Sequence, residues 1–251
     1  MTFVALETLT WQEAERLGAE GAVGLVALAA LEQHGPHLPL ATDSLLAERV
    51  AHEVADRLAG PVVVVPVMRG GLSAHHVAFP GTVTVPPETY RELVRSSIEG
   101  LERMGIRKVA LFSWHGGNYG FVGEFAAAWD GEAEVAGYAD LTGFIELMIS
   151  AAGEAGLDVP ETDVHAGGLE TSMMLARFPE HVRPFENVKG LDAAEPGWLD
   201  RIFVEGIRGV SETGVLGDVS GANAEAGEAL FAALADELAD FFARELKLER
   251  A

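Results

Sequence analysis

The sequence predicts an α/β fold with a mostly parallel sheet. Three observations lead to it: strand-length apolar runs, amphipathic helical segments between them, and no repeat or Pro/Ser-rich linker. Alternating strands and helices favour parallel pairing, because two parallel strands must be joined by a crossover, usually a helix. We therefore expect one domain over residues 1–251, with helices covering both faces of the sheet.

Each element follows from its own pattern. Continuous apolar or β-branched runs predict buried strands at 23–29, 62–68 and 108–113, and a further strand at 134–138. Apolar residues about one turn apart predict helices at 44–58, 87–104 and 224–246, and a helical stretch ending at Trp129. A further helix opens within residues 163–172.

Composition excludes several classes of function. With 17 Lys plus Arg against 39 Asp plus Glu, the net charge is −22, so neither nucleic acid nor an anionic membrane is an expected partner. Cysteine is absent, which excludes disulfides, thiolate catalysis and Cys-ligated metals. The first residues lack a signal-peptide pattern, and the longest apolar run, 21–31, is shorter than the roughly 20 residues that span a bilayer. We expect a cytoplasmic protein.

Histidines and carboxylates collect where predicted strands end. Six of the eight histidines fall in segments 32–43, 114–118 and 163–172 or in residues 73–76. Ligands of open parallel sheets bind outside the carboxyl ends of the strands. These segments are therefore the candidate site.

Five side chains in these segments form a candidate metal-ligand set: Glu32, His34, Asp43, His115 and Glu170. Glu32 and His34 are two residues apart, so they point the same way in extended backbone. Asp43, at a predicted helix start, has two carboxylate oxygens and could serve one ion or bridge two. Three carboxylates and two imidazoles suit Zn²⁺, Mn²⁺ or a similar cation.

Each of these residues also has a structural interpretation. Asp43 could be a helix cap, and Glu170 an ordinary first-turn carboxylate. His115 could hydrogen-bond within a turn that Gly116 and Gly117 merely allow. For His37, His75 and His76 individually, a structural role is the default. All of these interpretations together would need independent coincidences at one end of one sheet.

The chain resembles the creatininase (creatinine amidohydrolase) family. The resemblance rests on EQHGPHLPLATD at 32–43, FPGT at 79–82, HGGN at 115–118, HAGGLETS at 165–172 and GVLGD at 214–218. It implies a three-layer αβα fold with a binuclear metal site. Glu32, Asp43 and His115 would hold one ion, His34, Asp43 and Glu170 the second, and His165 would be catalytic.

The resemblance also implies chemistry and partners. Two divalent ions, Zn and/or Mn with Fe or Co as alternatives, would generate a metal-bound hydroxide that attacks the carbonyl of an amide, cyclic amide or short peptide. His165 would protonate the departing nitrogen. Gly116, Gly117, Asn118, His75 and His76 are candidate substrate-binding residues. Family members form homo-oligomers, including hexamers.

Two departures bear on the substrate. Creatininase proper has a metal-contacting glutamate where this chain has Gly117, and a lid tryptophan where residues 157–164 have none. We therefore rank an unassigned amide or imide hydrolase level with the mycofactocin precursor peptide peptidase. A formamide hydrolase comes next, and creatinine hydrolysis last.

Two other classes remain as alternatives. A two-metal phosphoesterase should carry basic residues near the clusters, where only Arg69 stands out, and no P-loop or GxGxxG pattern occurs. A non-catalytic scaffold stapled by metal would leave His165 without a role beside the ligands.

Overall fold

Five parallel strands form the central sheet. The computed structural model describes residues 3–193 and 196–251. The strands are β1 (Phe3–Ala5), β2 (Val23–Leu28), β3 (Val62–Val64), β4 (Lys108–Ser113) and β5 (Glu134–Gly137). They lie in the order β1-β3-β2-β4-β5, and every pairing is parallel.

Helices cover both faces of this sheet. They are α1 (Trp11–Ala19), α2 (Thr42–Arg57), α3 (Pro87–Met104), α4 (Tyr119–Ala127), α5 (Leu141–Glu154), α6 (Gly168–Arg177), α7 (Trp198–Glu205) and α8 (Ala224–Glu245). One apolar core joins the sheet to α2, α5, α6 and α8, and a second joins the opposite face to α1, α3 and α4. The predicted three-layer α/β architecture is confirmed.

Strand β2 shows why the central strands are continuously apolar. Leu25 and Ala27 face the first core, whereas Val26 and Leu28 face the second. All six residues of the strand are buried. A strand covered on both faces has no solvent side on which polar residues could alternate.

Several sequence predictions match the structure closely. The strand at 108–113 and the helix at 87–104 are confirmed with these limits. Helix α3 begins with Pro87 in its first turn and ends at Gly105, whose φ of 97° is left-handed. The run at 62–68 pairs as a strand only over Val62–Val64, because Pro66 lacks a backbone donor. None of the helices in residues 3–193 and 196–251 has the length and apolar composition that crossing a bilayer requires.

The strand order creates a crevice at the carboxyl ends of β2 and β4. From β2 the chain passes through α2 to β3 on one side, while from β4 it passes through α4 to β5 on the other. Such a reversal separates the loops that follow the two neighbouring strands, and ligands of open α/β sheets bind there.

Candidate metal centre

The five predicted ligands converge on that crevice. Glu32 and His34 lie in the segment after β2, and Asp43 in the first turn of α2. His115 lies two residues beyond β4, and Glu170 in the first turn of α6. Four of them are buried, and the side chain of Glu170 is only 12% exposed. The sheet and two helix starts therefore bring together residues up to 138 positions apart.

Glu32, Asp43 and His115 form the first potential ligand cluster. The Nδ1 atom of His115 lies 3.1 Å from Oε1 of Glu32 and 3.5 Å from Oδ2 of Asp43. One ligand atom from each residue lies within 4.8 Å of the others. This spacing is compatible with three donors around one cation.

His34, Asp43 and Glu170 form the second cluster. The Nε2 atom of His34 lies 3.0 Å from Oδ1 of Asp43 and 3.6 Å from Oε2 of Glu170. Asp43 thus presents one oxygen to each cluster. Its interpretation as a helix cap is wrong, because Ala41 is the N-cap of α2 and no side chain caps that end.

Backbone carbonyls fix which histidine nitrogen faces the centre. Nδ1 of His34 donates to the carbonyl of Glu32 at 3.1 Å, which directs Nε2 at Asp43. Nε2 of His115 lies 3.4 Å from the carbonyl of Leu72, which leaves Nδ1 toward Glu32. Metal-binding imidazoles are characteristically held in this way through their other nitrogen.

Glu170 is oriented by two donors and by an unusual backbone conformation. The Nε1 atom of Trp114 donates to its Oε1 at 2.9 Å, and the backbone N–H of Ala166 donates to its Oε2 at 2.7 Å. Ala166 has a φ of 54°, which costs a non-glycine residue about 1 kcal/mol. Glu170 therefore stabilises the start of α6, as its position predicts, while its Oε2 also faces His34.

The protein alone does not fully compensate the buried carboxylates of the centre, whereas a bound divalent cation would. Oε2 of Glu32 is buried without a hydrogen-bond partner among the described residues, and Oε1 of Glu32 and Oδ2 of Asp43 are approached only by imidazole nitrogens, at 3.1 Å or more. A buried carboxylate without partners is costly unless a cation or a proton compensates it. The donor set of oxygens and imidazole nitrogens is one that Zn²⁺ and Mn²⁺ accept.

The carboxylates of the centre also shift the pKa values of His34 and His115. Burial acts to lower the pKa of His34, but Asp43 and Glu170 outweigh it and raise that pKa to about 10. Burial also opposes protonation of His115, yet Glu32 and Asp43 raise its pKa to about 9. Without a metal, the centre draws positive charge from protons instead, so cation binding must displace them.

His165 lies beside the two clusters with one nitrogen directed into the centre. Its Nε2 donates to the carbonyl of Gln33 at 2.8 Å, and its Nδ1 lies 3.8 Å from Oε1 of Glu32. Burial, reinforced by repulsion from His34, holds the pKa of His165 well below its ordinary value. In the metal-free protein His165 is therefore neutral.

A cavity of about 350 Å³ opens directly over the centre. Of the candidate substrate-binding residues, His75, His76, Gly116 and Gly117 line it. Asn118 does not: it is fully buried, and its side chain donates to the carbonyl of Ala29 and accepts from the N–H of Leu72. Asn118 therefore holds together the loops behind His115 rather than facing the cavity.

Comparison with known proteins places this centre in a family. The family model described as creatinine amidohydrolase matches residues 7–242. The chain belongs to the creatininase family.

Two curated relatives and one solved structure illustrate the range of this family. A mycofactocin precursor peptide peptidase of Mycolicibacterium smegmatis is 33% identical over 86% of this chain and 82% of that protein. A creatinine amidohydrolase of Pseudomonas putida is 31% identical over 69% of this chain and 72% of that protein. A creatininase structure described as an Mn form is 27% identical, covers 96% of this chain and 98% of its own, and has a TM-score of 0.71. The family comprises hydrolases of C–N bonds, so this chain is a hydrolase.

Gly117 marks where this member departs from creatininase proper. A Cβ at this position would collide with Nε2 of His115 and would lie 2.7 Å from the carbonyl oxygen of Leu72. The loop therefore has no room for a side chain here. Glu170 faces His34 and Asp43 from α6, so the second cluster has its carboxylate without residue 117.

Sequence reasoning did not identify the apolar residues that form the mouth of the cavity. Ile145 on α5 and Trp198 and Phe203 on α7 line it, far in sequence from the ligand motifs. Helix α7 was not predicted, and its eight residues include no histidine and none of the motifs that define the ligand segments. A signal existed only in the apolar spacing of Trp198, Ile202 and Phe203 within a polar region.

Proposed function

We propose that this chain is a binuclear metal-dependent hydrolase that cleaves the C–N bond of an amide, a cyclic amide or a peptide. The observation that carries the proposal is the position of Asp43, which is shared by two buried three-residue clusters. Glu32 and His115 of the first cluster line a cavity large enough for a small substrate, and the second cluster adjoins the first through Asp43. A scaffold whose metals only staple the fold would not need such an opening.

The ligand assignment follows the two clusters. Glu32, Asp43 and His115 would hold one cation, and His34, Asp43 and Glu170 the other, with zinc and/or manganese as the metals and iron or cobalt as alternatives. Bound there, the two cations would supply Lewis acidity that activates a water molecule and polarises the substrate carbonyl.

His165 is the proton carrier in this proposal. Its protonated Nε2 is engaged by the carbonyl of Gln33, so its neutral Nδ1 is the atom able to accept a proton at the centre. Water adds to the carbonyl carbon and gives a proton to Nδ1. The same proton passes to the substrate nitrogen as the C–N bond breaks, and an acid and an amine result.

Residues on the cavity wall would position the amide. Gly116 and Gly117 line the cavity wall beside His115, and a Cβ at Gly116 would meet nothing within 4 Å, so a substrate can approach this backbone closely. His75 stacks on His115 with ring centroids 5.5 Å apart and an interplanar angle of 13°. We assign substrate contact to these three residues and to His76.

A second candidate function is that of a mycofactocin precursor peptide peptidase. It is favoured over creatinine hydrolysis because the peptidase relative matches 86% of this chain and the creatinine amidohydrolase 69%. The space around Gly117 agrees, since this loop excludes the glutamate of creatininase proper. A phosphoesterase is disfavoured, because no Lys or Arg lines the cavity within the described part of the chain.

The remaining assignments concern the whole molecule. One domain over residues 1–251 is supported by a sheet that packs against both apolar cores. Assembly into homo-oligomers, hexamers included, would cover exposed apolar side chains such as Val204. A cytoplasmic location stays a prediction.

Metal content per chain tests the proposal. Plasma mass spectrometry of purified wild type should give close to two ions per chain after incubation with zinc or manganese. Glu170→Gln should retain about one, and Asp43→Asn should retain fewer than one, because only Asp43 serves both clusters. A wild type that binds no metal, or an Asp43→Asn variant that binds two ions, would overturn the binuclear assignment. Loss of amide hydrolysis on chelation, restored by added metal, completes the test.

A further inference from the structure

The walls of the cavity are apolar above the polar floor. Beyond the histidines and Glu32 at its base, most lining side chains are aliphatic or aromatic and come from α5, α7 and the loops after them. They include Leu141, Ile145, Val164, Ile202, Phe203 and Leu216. An apolar wall favours an apolar group on the substrate, because water is released from both surfaces on binding.

The charges around the mouth are of one sign. Two exposed carboxylates, Glu146 on α5 and Glu161 in the loop before α6, line the cavity. No Lys or Arg lines it among the described residues, and the whole chain carries −22. A carboxylate on the substrate would therefore meet repulsion and no partner, and both effects weaken its binding.

The cavity size limits what the apolar wall can hold. A volume of about 350 Å³ lies at the small end of ligand pockets, which span roughly 300–1,000 Å³. It equals the space of about twelve water molecules at roughly 30 Å³ each. Such a volume suits one ring or one large side chain beside the scissile amide, not a long polypeptide segment.

Phe203 lies at the edge of this wall and is unusually exposed for a large aromatic residue. Its side chain lines the cavity and lies 5.6 Å, between ring centroids, from His75, which itself stacks on His115. Yet Phe203 is 73% exposed. A large aromatic residue that reaches from solvent to His75, beside the proposed ligand His115, gives an apolar substrate group a surface to cover.

We infer that the cavity selects amides that carry an apolar, ring-sized group and no negative charge next to the scissile bond. The inference rests on the proposed hydrolase function and adds the class of substrate to it. The apolar wall on α5 and α7 binds the ring, and Glu146 and Glu161 exclude anions.

Hydroxamates test this selection without turnover, because a hydroxamate chelates a metal and leaves its substituent free to probe the wall. Affinities of acetohydroxamate, phenylacetohydroxamate and 4-carboxyphenylacetohydroxamate for the zinc- or manganese-loaded protein would be measured by calorimetry. We expect the phenyl compound to bind at least about tenfold more tightly than acetohydroxamate. The added carboxylate should reverse most of that gain.

Two variant pairs assign the effects to residues. Phe203→Ser should weaken phenylacetohydroxamate about tenfold and leave acetohydroxamate unchanged. Val204→Ser is its control, because Val204 is 85% exposed on the same helix and does not line the cavity. Glu161→Arg should strengthen the carboxylated compound selectively, whereas Glu154→Arg, an exposed change outside the cavity, should not.

The outcomes distinguish a failure of the proposed metal centre from a failure of the proposed substrate selection. If acetohydroxamate fails to bind loaded protein, the proposed metal centre fails. If it binds but the phenyl compound binds no better, or if the carboxylated compound binds as well as the phenyl one, the selection is wrong while the metal centre stands. If a Phe203→Ser variant binds both neutral compounds like wild type, Phe203 does not contribute to the apolar wall that contacts the ring.

Discussion

The Nε2 atom of His76 lies 3.2 Å from Oε1 of Glu32, the same oxygen that faces His115. The other nitrogen of His76 lies 3.1 Å from the side-chain amide nitrogen of Gln33, which also donates to the carbonyl of Gly214 at 3.1 Å. Nδ1 of His76 is therefore an acceptor, and its Nε2–H is directed at Glu32. We therefore propose that His76 positions Glu32, one of the proposed metal ligands.

His76→Ala should weaken metal binding by about 10- to 100-fold, the range found when a residue that orients a ligand is removed. His76→Gln should recover part of this loss, since its amide can still donate to Glu32. Competition with a chromophoric chelator would measure both affinities. The control is His75→Ala, because His75 contacts His115 only through ring stacking. Equal affinities in His76→Ala and wild type would contradict the positioning role.

Gly117 and Gly116 form a matched pair of substitution sites. A Cβ at Gly117 would collide with Nε2 of His115, whereas a Cβ at Gly116 meets nothing within 4 Å. Gly117→Ala should therefore displace His115 and lower metal affinity at least about tenfold. Gly116→Ala, one position earlier in the same loop, should bind metal like wild type. The chelator competition applies here too, and two variants with the same affinity would show that the loop relaxes freely.

The sequence predicts the location of the candidate site better than it predicts the full set of helices and strands. Parallel strands end at the same edge of a sheet, so residues after β2 and β4 had to meet there whatever the details of packing. The meeting of Glu32, His34, Asp43 and His115 follows from this rule, whereas Glu170 is preceded by helix α5 rather than by a strand. Which carboxylate oxygen faces which imidazole does not follow from it, because side-chain torsions depend on neighbours such as Trp114 that are remote in sequence.

Several elements were missed for identifiable reasons. Strand β1 has three residues and pairs only at the edge of the sheet, so no periodicity could reveal it. Helix α1 is short, and the main local signal for its start is the capping box between Thr10 and Glu13. Helix α5 is apolar enough to resemble a buried strand, since Phe144, Met148 and Ala152 are buried against α8 and the sheet.

His165→Ala separates two roles that the geometry allows. As a proton carrier, His165 should be dispensable for metal binding, and its loss should reduce kcat by about 10² to 10⁴. However, one nitrogen of His165 also lies within ligand distance of a group formed with Glu32 and His34. Metal content and kcat measured on the same preparation distinguish these roles. Two ions with little turnover support proton transfer, whereas a missing ion would make His165 a ligand.

The pKa of His37 gives the protein an acid sensitivity that does not depend on metal ligation. His37 is fully buried, its Nε2 is hydrogen-bonded to Thr171 at 2.8 Å, and its Nδ1 has no hydrogen-bond partner among the described residues. Burial, with a smaller contribution from His34, lowers the pKa of His37 to about 4. In the unfolded chain the pKa is near 6.5.

This shift determines the direction of the pH effect. The folded protein resists protonation of His37, so the stability from its neutral form is complete above pH 6.5 and is lost as the pH falls toward 4. The loss is at most about 3.5 kcal/mol, from roughly 1.4 kcal/mol for each of about 2.5 pKa units. His37→Gln can keep the bond to Thr171 without titrating, so its free energy of unfolding should fall less between pH 6.5 and 4.5. Urea unfolding at several pH values would measure the difference, with His181→Gln, a half-exposed histidine, as control. Parallel pH profiles for wild type and His37→Gln would show that the ring is protonated in the folded state at no cost.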